Sequence, residues 1–115
     1  MSNINNILGQ EDCIRHKKAT LFDKTFGISL SSGSAFPLSD YKGVFKICQN
    51  SGGRVLYEKD SSVDSEIEIS EASFRITDNI NIAKLGKLYF ELRIFHTTDP
   101  EKIYVPWYGE FRNER

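Results

Sequence analysis

Cys13 and His16 stand three residues apart in "CIRH", a C-x-x-H pair of the kind that can open a zinc site. Tetrahedral zinc needs two further ligands, usually a second closely spaced pair. The other candidates, Cys48 and His96, are isolated in the chain, so no metal centre is expected. Nucleophilic catalysis needs a base beside a nucleophile, and two histidines without a G-x-S-x-G or comparable context do not supply one. Asp60, Asp64, Glu66, Glu68 and Glu71 form an acidic stretch, but the spacing of a calcium loop is absent and they read as a solvated strand face. Gly52 and Gly53 precede a strand and not a helix, which rules them out as a phosphate cradle. These residues predict a protein that is not an enzyme and carries no cofactor.

The other concentration of chemistry is aromatic. Tyr89, Phe90, Phe95, Tyr104, Trp107, Tyr108 and Phe111 are half of the chain's aromatic side chains, and the last four lie in "IYVPWYGEF". On strand parity, Ile103, Val105, Trp107 and Phe111 share one face, assigned to the core, while Tyr104, Pro106, Tyr108 and Glu110 share the other. Pro106 cannot donate a ladder hydrogen bond, so the strand is expected at an edge or bulged there. Exposed tyrosines on such a strand can cover a sandwich edge, dock a protein through large rigid contact area, or stack on a sugar.

Elements must position those groups, and the composition says which kind. A chain of 115 residues hides roughly two thirds of its unfolded surface, enough for one core without staples. With 15 Lys+Arg against 16 Asp+Glu, the net charge of -1 gives no basic field for a phosphate backbone, so nucleic acid is not an expected partner. The N-terminal stretch lacks a charged n-region and an apolar h-region, and no apolar run approaches a membrane span, so the expectation is a chain made in the cytoplasm with no membrane partner. Two cysteines are too few for a disulfide framework and are expected as free thiols, with Cys48 packed in a strand.

Residues 1–12 are polar and Asn-rich, with only Ile4, Ile7 and Leu8 apolar, and read as an N-terminal arm outside the core. From Arg15 onward short period-2 segments alternate with turn residues, the signature of an all-β sandwich or barrel. "KKATLF" and "TFGISLSS" are the first two expected strands. "KGVFKICQN" and "RVLYEKD" form a hairpin through the "NSGG" turn. "SEIEISEASFRITD" is a strand pair, and "DNINIAKLG" is a short helical turn capped by Asp78 and ended by Gly86. "KLYFELRIF" is the longest strand, with Leu88, Phe90, Leu92 and Ile94 on one face.

The succession "DKTFGISL", "PLSDYKGVFKI", "GGRVLYE", "LGKLYFELRIF" and "YGEF" resembles the small immunoglobulin-like β-sandwich proteins of tailed bacteriophages, which serve as tail, baseplate or head-tail accessory subunits. The matching positions are Phe26, Pro37, Leu38, Tyr41, Val55, Gly86, Tyr89, Phe90, Gly109 and Phe111, between Asp23 and Phe111. Two departures are a longer polar arm and the charged ending "RNER", so residues 113–115 are expected to leave the sheet as a tail. The resemblance implies an immunoglobulin-like Greek-key sandwich of about seven strands over residues 13–112. It further implies a structural subunit of the virion, made in the host cytoplasm and present in many copies. Its partners would be other virion proteins, docked through Tyr104, Pro106 and Tyr108 and through Ile4, Ile7 and Leu8 of the arm. The alternative is a host-surface module that binds glycan or receptor.

Overall fold

A computed structural model describes residues 9–30, 32–34 and 36–115. The period-2 patterning builds eight strands: β1 (Gln10–Lys17), β2 (Thr20–Gly27), β3 (Tyr41–Cys48), β4 (Val55–Asp60), β5 (Ile67–Ser70), β6 (Ser73–Ile80), β7 (Gly86–His96) and β8 (Ile103–Glu114). They form two sheets, one of five strands in the order β1-β8-β7-β3-β4 and one of three in the order β2-β6-β5. The pair β1–β8 is parallel and the others are antiparallel. The all-β sandwich expected from the sequence is thus the architecture, with eight strands instead of about seven.

Both sheets turn phenylalanines inward. Phe26 and Phe74 of the smaller sheet and Phe45, Phe90 and Phe111 of the larger are fully buried. Phe26 lies 5.6 Å from Phe45 and 6.0 Å from Phe90 between ring centroids, within the range where aromatic pairs attract beyond their area. Leu88, Phe90, Leu92 and Ile94 of β7 are all buried, as the alternation of that strand predicts. The β3–β4 hairpin closes at Asn50–Gly53, with Gly52 at φ 73° and the Gly53 N–H donating to Asn50 O at 2.9 Å. A side chain at Gly52 would meet the steric penalty of the left-handed region.

Four expectations are corrected. The first strand starts at Gln10, so Gln10, Glu11 and Asp12 belong to the sheet and not to an arm ending at residue 12. "KKATLF" is not one strand but the β1–β2 turn and the start of β2. There Ala19 adopts φ 61°, and the Thr20 hydroxyl donates to Lys17 O at 2.6 Å. No helical turn occupies residues 78–86: β6 runs to Ile80, and Ile80 and Ile82 are both buried, a spacing of two that serves a strand. Residues 113 and 114 do not leave the sheet. Asn113 is 1% exposed, and its Nδ2 donates to Ile82 O and Lys84 O, both at 2.8 Å. That side chain ties the irregular 81–85 segment to β8 and supplies partners that a helix would otherwise provide.

Candidate docking surfaces

The aromatic run is split by a bulge in β8. Leu92 pairs with Trp107 and Ile94 with Tyr104, so Val105 and Pro106 together face Arg93 alone. An extra residue on one strand reverses the in/out alternation beyond it. A proline is suited to that place because the bulged residue donates nothing to the ladder. Consequently Tyr104 and Trp107, three residues apart, both reach the core cluster, whereas Ile103, expected inside, is 43% exposed. The expected outer face of Tyr104, Pro106 and Tyr108 is therefore not a face: Tyr104 turns inward, Pro106 is buried and Tyr108 alone lies on the outer side.

Each aromatic has its own setting. The Trp107 indole Nε1 donates to Gly27 O at 2.7 Å and the ring lies 5.5 Å from Phe26, pinning β8 to the end of β2 across the sandwich. Tyr104 sits 6.4 Å from Phe36 and 6.3 Å from Tyr41 at the end of the sandwich. Burial and the neighbouring Tyr104 push the Tyr41 phenol above its ordinary value. Tyr41 also packs edge-on against His96 at 5.0 Å. The His96 Nδ1 accepts the backbone N–H groups of Thr98 at 3.2 Å and Asp99 at 3.0 Å. Leu30, Phe36, Tyr41, His96 and Lys102 border a cleft of about 390 Å³ there. Tyr108 lies between Glu91 of β7 and Glu11 of β1 in the cross-strand register.

The outer face around Tyr108 is a lattice of charge. Glu91 is held by Arg93 at 2.8 Å and Lys46 at 3.9 Å, and Glu110 by Arg112 at 2.9 Å and Lys87 at 3.9 Å. Part of the acidic stretch is likewise occupied. Asp60 accepts from the Ser62 N–H at 2.9 Å and hydroxyl at 2.7 Å and lies 3.3 Å from Lys42. Burial works against its charge, yet those hydrogen bonds and Lys42 win, and its carboxyl stays below the ordinary range. Lys59 pairs with Glu66 at 3.7 Å and Asp78 at 3.8 Å. The Tyr57 hydroxyl donates to Asp78 at 2.7 Å, and burial followed by that hydrogen bond raises the phenol strongly.

Cys13 and His16 cannot bind one metal ion together, since residues three apart on a strand point to opposite faces. Cys13 is exposed and His16 is buried, its ring 5.5 Å from Phe22 and 5.8 Å from Phe111. Cys48 is also a free thiol, buried in β3, where burial raises it above its ordinary value. Among the described residues no three His, Cys, Asp or Glu side chains come together as metal ligands. Ile4, Ile7 and Leu8, expected to meet a partner, lie outside the described residues.

The surface that sequence reasoning missed is β1. It ends the five-stranded sheet, and among the described residues no strand pairs with its outer side. The Lys18 N–H donates to Glu114 O at 2.6 Å. By alternation, the even-numbered residues of β1 turn their N–H and C=O groups to β8 and Glu11, Cys13, Arg15 and Lys17 turn theirs outward. Gly109 belongs to the same contact. At φ 149°, a side chain there would drive its Cβ into the Asp12 carbonyl, so only glycine lets β1 close on β8. The signal is present in "QEDCIRHK", where Ile14 and His16 alternate with charged residues, but the first strand is expected only from Lys17.

No protein-family model matches this chain. A search of curated proteins likewise finds no match to its sequence.

Proposed function

We propose that this protein is a non-enzymatic structural subunit that works by docking to other proteins. The observation that carries the reading is the eight-residue β1 at the end of the larger sheet, which turns backbone donors and acceptors outward. It contains no proline and no bulge, two of the devices that protect such an edge, and its charged side chains make pairing selective for a complementary strand. The charges of the outer face are largely paired, and Tyr104 and Trp107 pack partly against the core.

The immunoglobulin-like class belongs to the same proposal. A first strand parallel to the last, in a sheet that continues through β7, β3 and β4 opposite β2, β6 and β5, supports that reading. The order of the sequence segments resembles the sandwich subunits of tailed-phage virions, and we place the chain in a tail, baseplate or neck on that resemblance. Mass spectrometry of purified particles of the encoding phage tests this. Recovery of the chain in many copies per particle supports the placement, and its absence from intact particles overturns it.

A second reading is favoured by the cleft at the end of the sandwich, where Phe36, Tyr41 and His96 meet Lys102. An aromatic floor with one cation suits a host-surface glycan. Saturable chemical-shift changes at Tyr41 and His96 on titration with host polysaccharide would favour it over the docking subunit, and their absence would remove it.

A further inference from the structure

We infer that the outer edge of β1 pairs with the β1 edge of a second copy of this chain, antiparallel and with the two-fold axis at Cys13. The inference deepens the docking reading and rests on it in one respect, that the sandwich works through a sheet edge.

Glu11, Cys13 and Arg15 turn their backbone N–H and C=O groups outward, and an antiparallel partner can bond only to residues so turned. Placing the axis at Cys13 sets Glu11 opposite Arg15 of the second copy, Cys13 opposite Cys13, and Arg15 opposite Glu11. Every one of those residues is a position whose backbone points at the partner, so the register gives about six interchain backbone hydrogen bonds with none left over among the three pairs.

The side chains fit the same register. All three are exposed, and the axis brings an acid onto a base on each side of a small uncharged residue. Opposite charges placed directly across an antiparallel pair stabilise it, and like charges oppose it. Moving the axis to Arg15 would set two guanidinium groups face to face. The strand is thus self-complementary in charge, the property an isologous contact requires. Arg15 reaches Glu114 of its own chain at 2.8 Å, but with 70% of its side chain exposed it has room for a second carboxylate.

One group must change partner. The Cys13 N–H donates to its neighbour Asp12 Oδ1 at 2.8 Å, and pairing replaces that acceptor with the carbonyl of the second copy. Asp12 keeps Lys24, whose Nζ lies 3.3 Å from its carboxylate. A contact along one strand buries less than a standard interface, which makes this a weak association that many copies on a particle would reinforce.

The test is sedimentation of the whole chain over ~10 µM to 1 mM, a span suited to weak, transient contacts, together with oxidation by diamide. In the proposed register the two Cys13 Cα atoms come to about 5.5 Å, inside the range a disulfide spans. Diamide takes two electrons and two protons from the facing thiols as the S–S bond forms. The expected results are a dimer that grows with concentration and weakens with salt, and a disulfide-linked band that Cys13→Ser abolishes and Cys48→Ser leaves in place. Glu11→Arg should monomerise the chain at least tenfold in dissociation constant, and Glu11→Arg with Arg15→Glu should restore the dimer. Because these side chains are exposed, an unchanged melting curve verifies that each variant is folded. A chain that is monomeric at 1 mM, a dimer indifferent to Glu11→Arg, or one without the Cys13 link overturns the inference. A monomer that is nonetheless recovered from particles sinks the self-pairing and leaves the docking role, whereas a dimer absent from particles sinks the virion role alone.

Discussion

Replacing Ile103 with Ser and, separately, Tyr104 with Ala separates the bulged strand from an unbroken one. Ile103 is 43% exposed, so its loss removes little buried area and should cost under about 0.5 kcal/mol. Tyr104 packs against Phe36 and Tyr41 while remaining half-buried. Truncating a fully buried aromatic costs about 3–5 kcal/mol, and half of that burial puts Tyr104→Ala near 2 kcal/mol. At about 4 °C per kcal/mol for a domain of this size, the melting temperature should fall by roughly 8 °C for Tyr104→Ala and about 2 °C or less for Ile103→Ser. Tyr108→Ala, on the outer face, should resemble Ile103→Ser. Differential scanning calorimetry of the three variants gives the answer. If Ile103→Ser proves the costlier change, or if Tyr104→Ala and Tyr108→Ala cost the same, the alternation is unbroken and the bulge at Val105–Pro106 is refuted.

Three further outcomes are expected. Asn113→Asp buries a carboxylate against the Ile82 and Lys84 carbonyls that Nδ2 now serves. It should cost about 3–5 kcal/mol, as an unpaired buried charge does, seen as a steep loss in the denaturation midpoint; a neutral result would show that the amide does not hold the 81–85 segment. His16→Phe should leave the melting temperature unchanged or raise it, because the buried Nε2 has no partner and the ring already sits among Phe22 and Phe111; a loss above about 1 kcal/mol would reveal a bond at that nitrogen. Arg75, bonded to Asp23, holds that carboxyl low, and Asp60 is also held low. Carboxyls lowered on folding add stability that is present above about pH 4 and is lost as pH falls through their folded values. Stability should therefore be level from neutral to mildly acid solution and drop below about pH 4; a drop beginning near pH 6 would point to histidine instead.

Much of the fold was legible because period 2 is a strong signal where both neighbours of a strand are regular. β7 follows it without interruption, while the β3–β4 hairpin keeps its register only as far as Ile47. It failed where one residue mattered. The bulge at Val105–Pro106 inverts Ile103 and Tyr104, and the sequence marked the place with Pro106 without saying that parity would slip there. The 78–86 segment reads as helix by its cap and glycine, but Ile80 and Ile82 alternate, and Asn113, far along the chain, supplies the bonds that fix it. "RNER" looks like a charged tail because hydropathy weighs Asn113 as polar, although its side chain is buried and its Nδ2 bonds to two carbonyls inside. β1 was missed for the same reason: an edge strand whose only apolar core residue is Ile14 has too little hydrophobic content to stand out from an arm.

Backbone amide exchange, followed for the free chain and for the chain in its assembled state, tests the docking account most directly. In the free chain the amides of Ile14 and His16 should be slow and those of Glu11, Arg15 and Lys17 fast, since only the even-numbered set faces β8. On assembly the fast set should slow while Tyr104–Tyr108 stays as it was. Protection gained across Tyr104–Tyr108 or the His96–Lys102 loop, with the β1 amides still fast, would contradict the account.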